Sequence, residues 1–355
     1  MANAIADRIE FLLRAGEVGR KAQQVSNVSV GTTRGPREEN QDRVAIAQIN
    51  TEYGERLSVA VICDGMGGMT NGAAAASCAI SHFLASILTD RSQSPTKMAY
   101  RAISEANRAV YNLFRGAGGT TLTALMLRDG ENPCVAHVGD SRLYMKGDSG
   151  ELELITKDDT VFGQMGSGSN EDMLDNRLLQ FVGIGRDLEP HIFSLSSYAG
   201  HEFILTTDGA HSIGKRALNG IVSNATSSLD IVRKILYVAE AIGTDDNASA
   251  IAISTHNPEY LPQFGTGLEA RISTPSDKIE IWLYGDVSRN SAIANITSES
   301  SASNEQPLAK PVGKKTRSGR TSQKPRKFQT KPISNPQNKK PQLHIEFNDE
   351  GNDEG

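Results

Sequence analysis

Aromatic residues make up only 5% of this 355-residue chain, tryptophan occurs once and cysteine three times. Hydrophobic residues reach 38%, little for a compact protein of this length, so part of the chain is expected not to fold. Cys63, Cys78 and Cys134 are odd in number and lack CxxC spacing. That excludes a disulfide framework, points to a reducing compartment and makes each a small buried apolar residue rather than a nucleophile. The start, MANAIADRIEFLLRAGEVGRK, lacks the basic opening, long apolar run and small-residue cleavage site of a signal peptide. The most apolar longer stretch, 73–88, contains Ser77, Ser81, His82 and Ser86 and is read as too polar to span a bilayer. No transmembrane segment and a cytoplasmic location are expected.

Charge is unevenly missing. Residues 310–340 hold eleven Lys/Arg and no acid, whereas 346–354 hold five acids and no base. The formal net charge of −5 therefore hides a body, residues 1–309, with 26 bases against 37 acids and a net of −11. An acidic body suits a cation site and argues against a nucleic-acid groove on the body itself.

Periodicity organises the rest. Ile5, Ile9, Leu12 and Leu13 predict a short amphipathic helix within an N-terminal extension, 1–26. Strands are expected at 28–33, 43–49, 57–62, 120–127, 133–145, 152–156, 202–207 and 248–254. Helices are expected at 72–88, 229–242 and 96–114, the last capped by Ser94, opened by Pro95 and burying Met98, Ala102, Ala106, Val110 and Leu113. Helices inserted in pairs among antiparallel strands indicate sheet-on-sheet packing with helices outside. The polar segment 157–180 reads as a functional loop or lid. The domain is placed at 27–256, a terminal hairpin at 257–290, and a disordered tail, first basic and then acidic, at 291–355.

Five aspartates, Asp42, Asp64, Asp140, Asp208 and Asp246, sit in short Gly-, Ser- or Asn-rich segments, four of them beside apolar strand-like runs. A carboxylate in a tight turn at a strand end is a hard oxygen ligand, and several converging would hold Mg²⁺ or Mn²⁺. In order, the segments are Arg37-Glu-Glu-Asn-Gln-Asp42, Asp64-Gly-Met-Gly-Gly68, Gly119-Thr-Thr-Leu122, Val138-Gly-Asp-Ser-Arg142, Thr206-Thr-Asp-Gly209 and Asp245-Asp-Asn247. In these segments and their order the chain resembles the metal-dependent protein serine/threonine phosphatases of type 2C, in particular bacterial members, over about 27–254.

The resemblance implies an α+β fold with a central β-sandwich of two antiparallel sheets flanked by helices. It also implies a site for two Mn²⁺ or Mg²⁺ ions, with a third in some members. By position, Asp64 would bridge the two metals and the Gly65 carbonyl would add a ligand. Asp208 and Asp246 would bind the first metal, and Asp140 with Asp208 a third. Asp42 would support the attacking water, and Arg37 would clamp the phosphate. Two metals sharing a water lower its pKa, and a planar guanidinium holds two phosphate oxygens. The implied activity is hydrolysis of phosphoserine and phosphothreonine in phosphorylated protein substrates, opposed to a cognate Ser/Thr kinase. The alternative is a pseudophosphatase that binds without turnover.

Three positions depart from the family pattern. Met66 stands where many eukaryotic members have the histidine proposed as acid, Gln41 where some have a metal-binding glutamate, and Asp159 where a histidine is common. His211 is read as a residue beside the site, His137 as structural, and Thr120 and Thr121 as sheet supports. The basic tail reads either as a solvated linker or as an electrostatic tether to nucleic acid or an anionic surface.

Overall fold

A computed structural model describes residues 2–14, 19–50, 55–66, 71–147, 150–165, 177–196, 200–256, 269–283 and 343–346. Helix α1 (Ala2–Arg14) is followed by four strands, β1 (Lys21–Val25), β2 (Val28–Thr33), β3 (Asp42–Asn50) and β4 (Arg56–Asp64). Helices α2 (Gly72–Thr89) and α3 (Pro95–Phe114) come next, then β5 (Leu122–Arg128), β6 (Cys134–Val138), β7 (Arg142–Lys146) and β8 (Leu152–Leu154). A short α4 (Val161–Met165) precedes β9 (His191–Ser194) and β10 (Glu202–Thr206). Helices α5 (Asp208–His211), α6 (Lys215–Asn224) and α7 (Ser228–Ile242) separate β10 from β11 (Ala248–Ser254). Strands β12 (Ala270–Ser273), β13 (Lys278–Leu283) and β14 (Leu343–Glu346) complete the order.

The strands form two sheets, β1-β2-β11-β10-β7-β8 and β14-β13-β12-β3-β4-β5-β6-β9. Alternate residues face inward, so Val28 and Val30, Val44 and Ile46, Ala60 and Ile62, Leu125 and Leu127, Phe203 and Leu205, and Ile251 and Ile253 meet in one core between the sheets. The outer face of the six-stranded sheet packs Ala248, Ala250 and Ile204 against Leu218 and Val222 of α6 and Val232, Ile235 and Leu236 of α7. Helix α2 lies on β3 and β4, with α1 and α3 against it. This is the expected sandwich with flanking helices.

Helix α2 is long and apolar enough to cross a membrane by length and mean hydropathy, 1.4 over 18 residues, in contrast to the reading of 73–88 as too polar. Its side chains, Ile80, Phe83, Leu84 and Leu88 among them, are instead buried within the fold.

The structure differs from expectation at several elements. Residues 133–145 are two strands in different sheets, because the chain leaves β6 and crosses to β7 through Gly139, Asp140 and Ser141. Ser94 occupies the N-cap of α3 without a side-chain capping bond, and Leu113, in the last turn, is 61% exposed. Strand β1 lies inside the expected helical extension and pairs with β2 from Lys21↔Thr32 to Val25↔Val28. Hairpin β12–β13 pairs with β3, from Ala270↔Ile49 to Ser273↔Ile46, so the sheet continues past residue 256. Much of the proposed lid, and all of the expected tail except β14, lie outside the described residues.

Candidate active site

The expected ligands gather at one end of the sandwich from both sheets. Asp42 opens β3 and Asp64 closes β4, and the two stand opposite each other in register. Asp208 follows β10 and Asp246 precedes β11, neighbours in the other sheet. Asp140 sits where the chain crosses between the sheets.

Local bonds fix each strand end. The Asp64 amide donates to Thr121 Oγ1 at 2.9 Å, and Thr120 Oγ1 donates to the Asp64 carbonyl at 2.8 Å. Thr121 and Ser141 hydroxyls meet at 2.7 Å, tying the Asp64 and Asp140 turns together. Both threonines therefore act as supports. The Gly65 amide donates to the Gln41 carbonyl at 3.2 Å, and a Cβ on Gly65 would lie 2.2 Å from the Gly72 carbonyl oxygen. A Cβ on Gly209 would lie 2.0 Å from the Asn247 carbonyl oxygen. No side chain fits at either position, which is how the turns approach so closely.

The carboxylates repel one another. Burial first, then Asp42, Asp208 and Asp140, push the Asp64 carboxyl far above its usual range. Asp64 shares a hydrogen bond with Asp208, whose own pKa rises through burial and the neighbouring Asp246. Burial, with Asp208 and Asp246 adding repulsion, raises Asp42 to about 7 even though Ser249 and Thr207 bond to it. Burial, with Asp208 and Asp158, also raises Asp140 to about 7. Arg37 beside Asp208 and Arg142 beside Asp140 oppose these shifts without cancelling them.

Arg37 donates from Nε to the Asp245 carbonyl at 2.7 Å and from Nη2 to Asp246 Oδ2 at 2.8 Å. One edge of the expected phosphate clamp is thus held against an expected metal ligand, while the side chain remains 48% exposed. Met66 donates its amide to the Gly119 carbonyl at 3.1 Å, and its sulfur sits close to Gly119. His211 Nδ1 bonds Thr206 Oγ1 at 3.1 Å, and burial, with Arg142 nearby, pulls its pKa down to about 3. It is a neutral imidazole beside the site, not an acid.

Several residues that position the site carried no assigned role. Thr207 Oγ1 donates to Asp42 Oδ2 at 2.8 Å, and Asn40 Oδ1 accepts from the Asp42 amide at 3.1 Å. Asn247 Nδ2 donates to the Arg34 and Glu39 carbonyls at 2.7 and 3.0 Å, and its Oδ1 accepts from the Gln41 amide at 2.7 Å. It staples the 34–41 turn to β11. Asp159, noted only as a departure, accepts from the Gly139 amide at 2.9 Å and from His191 Nε2 at 2.8 Å. His137 bonds Thr123 Oγ1 and the Lys157 carbonyl, a structural role as expected. The only visible signal for Thr207 and Ser249 was a polar residue interrupting an apolar run.

The residues fit hard cations. The donors are all oxygen, Asp42 Oδ1 is buried without a hydrogen-bond partner, and Arg37, half-exposed on Asp246, offsets only part of the negative charge. Among the described residues, no three acidic, histidine or cysteine side chains already stand at ligating geometry, so binding would draw the carboxylates together.

Comparison with known proteins decides the family. The protein phosphatase 2C profile matches residues 34–243, more than half of the chain. The chain belongs to the protein phosphatase 2C family. The match includes Arg37, Asp42, Asp64, Gly65, Asp140 and Asp208, and ends just before Asp246. Among similar solved structures is the PPM Ser-Thr phosphatase MsPP of Mycobacterium smegmatis in complex with cacodylate. It is 24% identical with a TM-score of 0.55, over 65% of this chain and 99% of that one. Stp1 of Staphylococcus aureus is 21% identical with a TM-score of 0.56, over 69% and 99%. The catalytic domain of PstP, solved with two manganese ions, is 22% identical with a TM-score of 0.54, over 66% and 98%. These likenesses establish the fold of the 2C phosphatases in this chain.

Proposed function

We propose that this type 2C phosphatase hydrolyses phosphoserine and phosphothreonine in proteins, using Mn²⁺ or Mg²⁺ held by Asp64, the Gly65 carbonyl, Asp208 and Asp246, with Asp140 available to a third ion. The observation that carries this reading is a group of mutually repelling carboxylates whose pKa values stay raised despite Arg37 and Arg142 nearby. Manganese in the PstP structure supports the choice of ion. When bound, the ions would supply an activated water and neutralise phosphate charge.

The chain's own residues do the rest. Asp42, held through Oδ2 by Thr207, keeps Oδ1 free to accept a hydrogen bond from the attacking water. Arg37, 48% exposed, is placed to bind two phosphate oxygens, and its bond to Asp246 would be given up if that carboxylate held a cation. Met66 has no proton to give and His211 is held neutral, so the departing serine or threonine oxygen takes its proton from water. The site turns rest on main-chain and threonine bonds, which keeps these groups in place without a cofactor.

The test is turnover of a phosphoserine peptide and a phenyl phosphate ester by purified protein. Activity with Mn²⁺, none with EDTA and none in Asp208→Asn are expected. Metal-independent turnover, or full activity in Asp208→Asn, would sink the reading. Gln41 and Met66 favour the rival of a binding module without turnover; calorimetric Mn²⁺ binding with no hydrolysis would establish it.

A further inference from the structure

A second charged feature lies away from the carboxylates. Arg20, Lys21, Ala22, Arg233, Lys234, Tyr237 and Pro275 line a groove of about 630 Å³. Its floor joins three elements: β1, the outer side of α7 and the turn between β12 and β13. Gln23 Nε2 donates to the Thr274 carbonyl and holds that turn against β1. Four cations face the groove, on a body whose net charge is −11 over residues 1–309.

Two of those cations are balanced. Arg20 Nη1 pairs with Glu240 Oε2 at 2.9 Å, and Lys234 Nζ with Asp230 Oδ2 at 2.7 Å. Lys21 and Arg233 are exposed and, among the described residues, have no ion pair. The Arg20 guanidinium lies 5.2 Å from the centroid of the Tyr237 ring, which is itself 61% exposed. A rigid aromatic face beside unbalanced cations suits an acidic peptide: carboxylates meet Lys21 and Arg233, and their neighbours lie along Tyr237 and Pro275.

We propose that the groove docks this chain's own acidic C-terminal segment, Glu346 to Glu354. Charge complementarity is the first argument: this is the segment with five acids and no base. Position is the second. Strand β14 ends at Glu346 and lies beside β13 in the sheet, and the β12–β13 turn contributes Pro275 to the groove. The residues after Glu346 span up to about 30 Å when extended, more than the roughly 20 Å length of a six-residue strand like β13. The groove is within their reach whichever way β14 points. Tethering gives the segment an effective concentration of about millimolar, so a weak charged contact suffices.

The groove is also wired to the active-site turn. Glu240 accepts from Thr33 Oγ1 as well as from Arg20, and the Gly35 amide donates to Thr33 Oγ1 at 3.4 Å. An acidic side chain that engages Arg20 competes with Glu240 at the head of the turn that carries Arg37.

The test is carbodiimide cross-linking of the full chain followed by peptide mass spectrometry. Links within one chain from Lys21 or Lys234 to Asp349, Glu350, Asp353 or Glu354 are expected. They are lost in 0.5 M salt (about a 4 Å Debye length) and in Arg20→Glu/Arg233→Glu, which leaves both lysines available. In the reverse variant, Asp349→Asn/Glu350→Gln/Asp353→Asn/Glu354→Gln, acetylation of Lys21 rises. Links confined to lysines of 310–340, links only between two copies, or links unchanged by Arg20→Glu/Arg233→Glu would each overturn the assignment.

Discussion

At the Arg56 end of β4, Asp129 accepts from Arg56 Nε at 2.9 Å and Nη2 at 3.0 Å. Burial works against that carboxylate's charge, but the Arg56 bonds outweigh it and its pKa falls. At the other end of the strand, burial also acts on Asp64, and the charges that raise it further, on Asp42, Asp208 and Asp140, are all carboxylates. The same residue type is driven in opposite directions beside the two ends of β4, at Asp129 just after β5 and at Asp64. The first end completes its own charge balance inside the protein. Under the proposed function, the second would be completed by a bound cation, which would separate a structural carboxylate from a functional one.

Substitution at the two ends should separate them most sharply. Asp64→Asn should abolish Mn²⁺-dependent hydrolysis and, by removing repulsion, raise the melting temperature of the metal-free protein. Activity assays and thermal melts on one preparation read both effects, and a lower metal-free melting temperature would break the contrast.

Titration gives the next largest effect. Asp42 and Asp140 stand at about 7 in the folded protein, above the ordinary value of 3.8. The stability from holding those protons is complete below the ordinary carboxylate range and is lost as the pH rises through 7. The melting temperature without metal should therefore fall from pH 5 to pH 8. Mn²⁺ should restore more at pH 8, where its ligands have fewer protons to release. At a hundredfold excess over Kd the gain is about 2.7 kcal/mol.

Arg37→Lys should lower kcat/KM roughly 10–100-fold, because charged hydrogen bonds worth about 1.5–3 kcal/mol are lost on the phosphate. Steady-state kinetics on a phosphopeptide check it. The smallest effect belongs to the balanced end. Asp129→Asn should cost about 1 kcal/mol or less in a denaturant melt and leave hydrolysis unchanged. Loss of activity there would mean that the two ends of β4 are not independent.

Much of this was legible from spacing. Strands β3 and β4 and hairpin β12–β13 follow their alternating or apolar runs, and helix α2 follows its alanine-rich one. Strand β1 was not, because Lys21, Gln23 and Gln24 give an exposed edge strand no apolar signal. Strand β9 and helix α6 were missed as well: one is four residues long, and the other holds Gly220 in its interior. At the site, four of the five aspartates stand out because each borders an apolar strand-like run. Their supports do not. Asp159 reaches Gly139 and His191, and Asn247 reaches the 34–41 turn, through contacts that only the folded chain brings together.

The passage of the chain from β6 to β7 at Asp140 has a mechanical consequence. Asp42 and Asp64 ride on one sheet, Asp208 and Asp246 on the other, and Asp140 on the link between them. The gap between the sheets is filled by Leu125, Phe203 and their neighbours. The thickness of that filling sets how far apart the two halves of the ligand set stand. Trimming Phe203 or enlarging Ala60 would act on the ion-holding geometry from the middle of the sandwich. The core thus works as a spacer gauge for the site, and an ion gripping both sheets would work as a rivet across it.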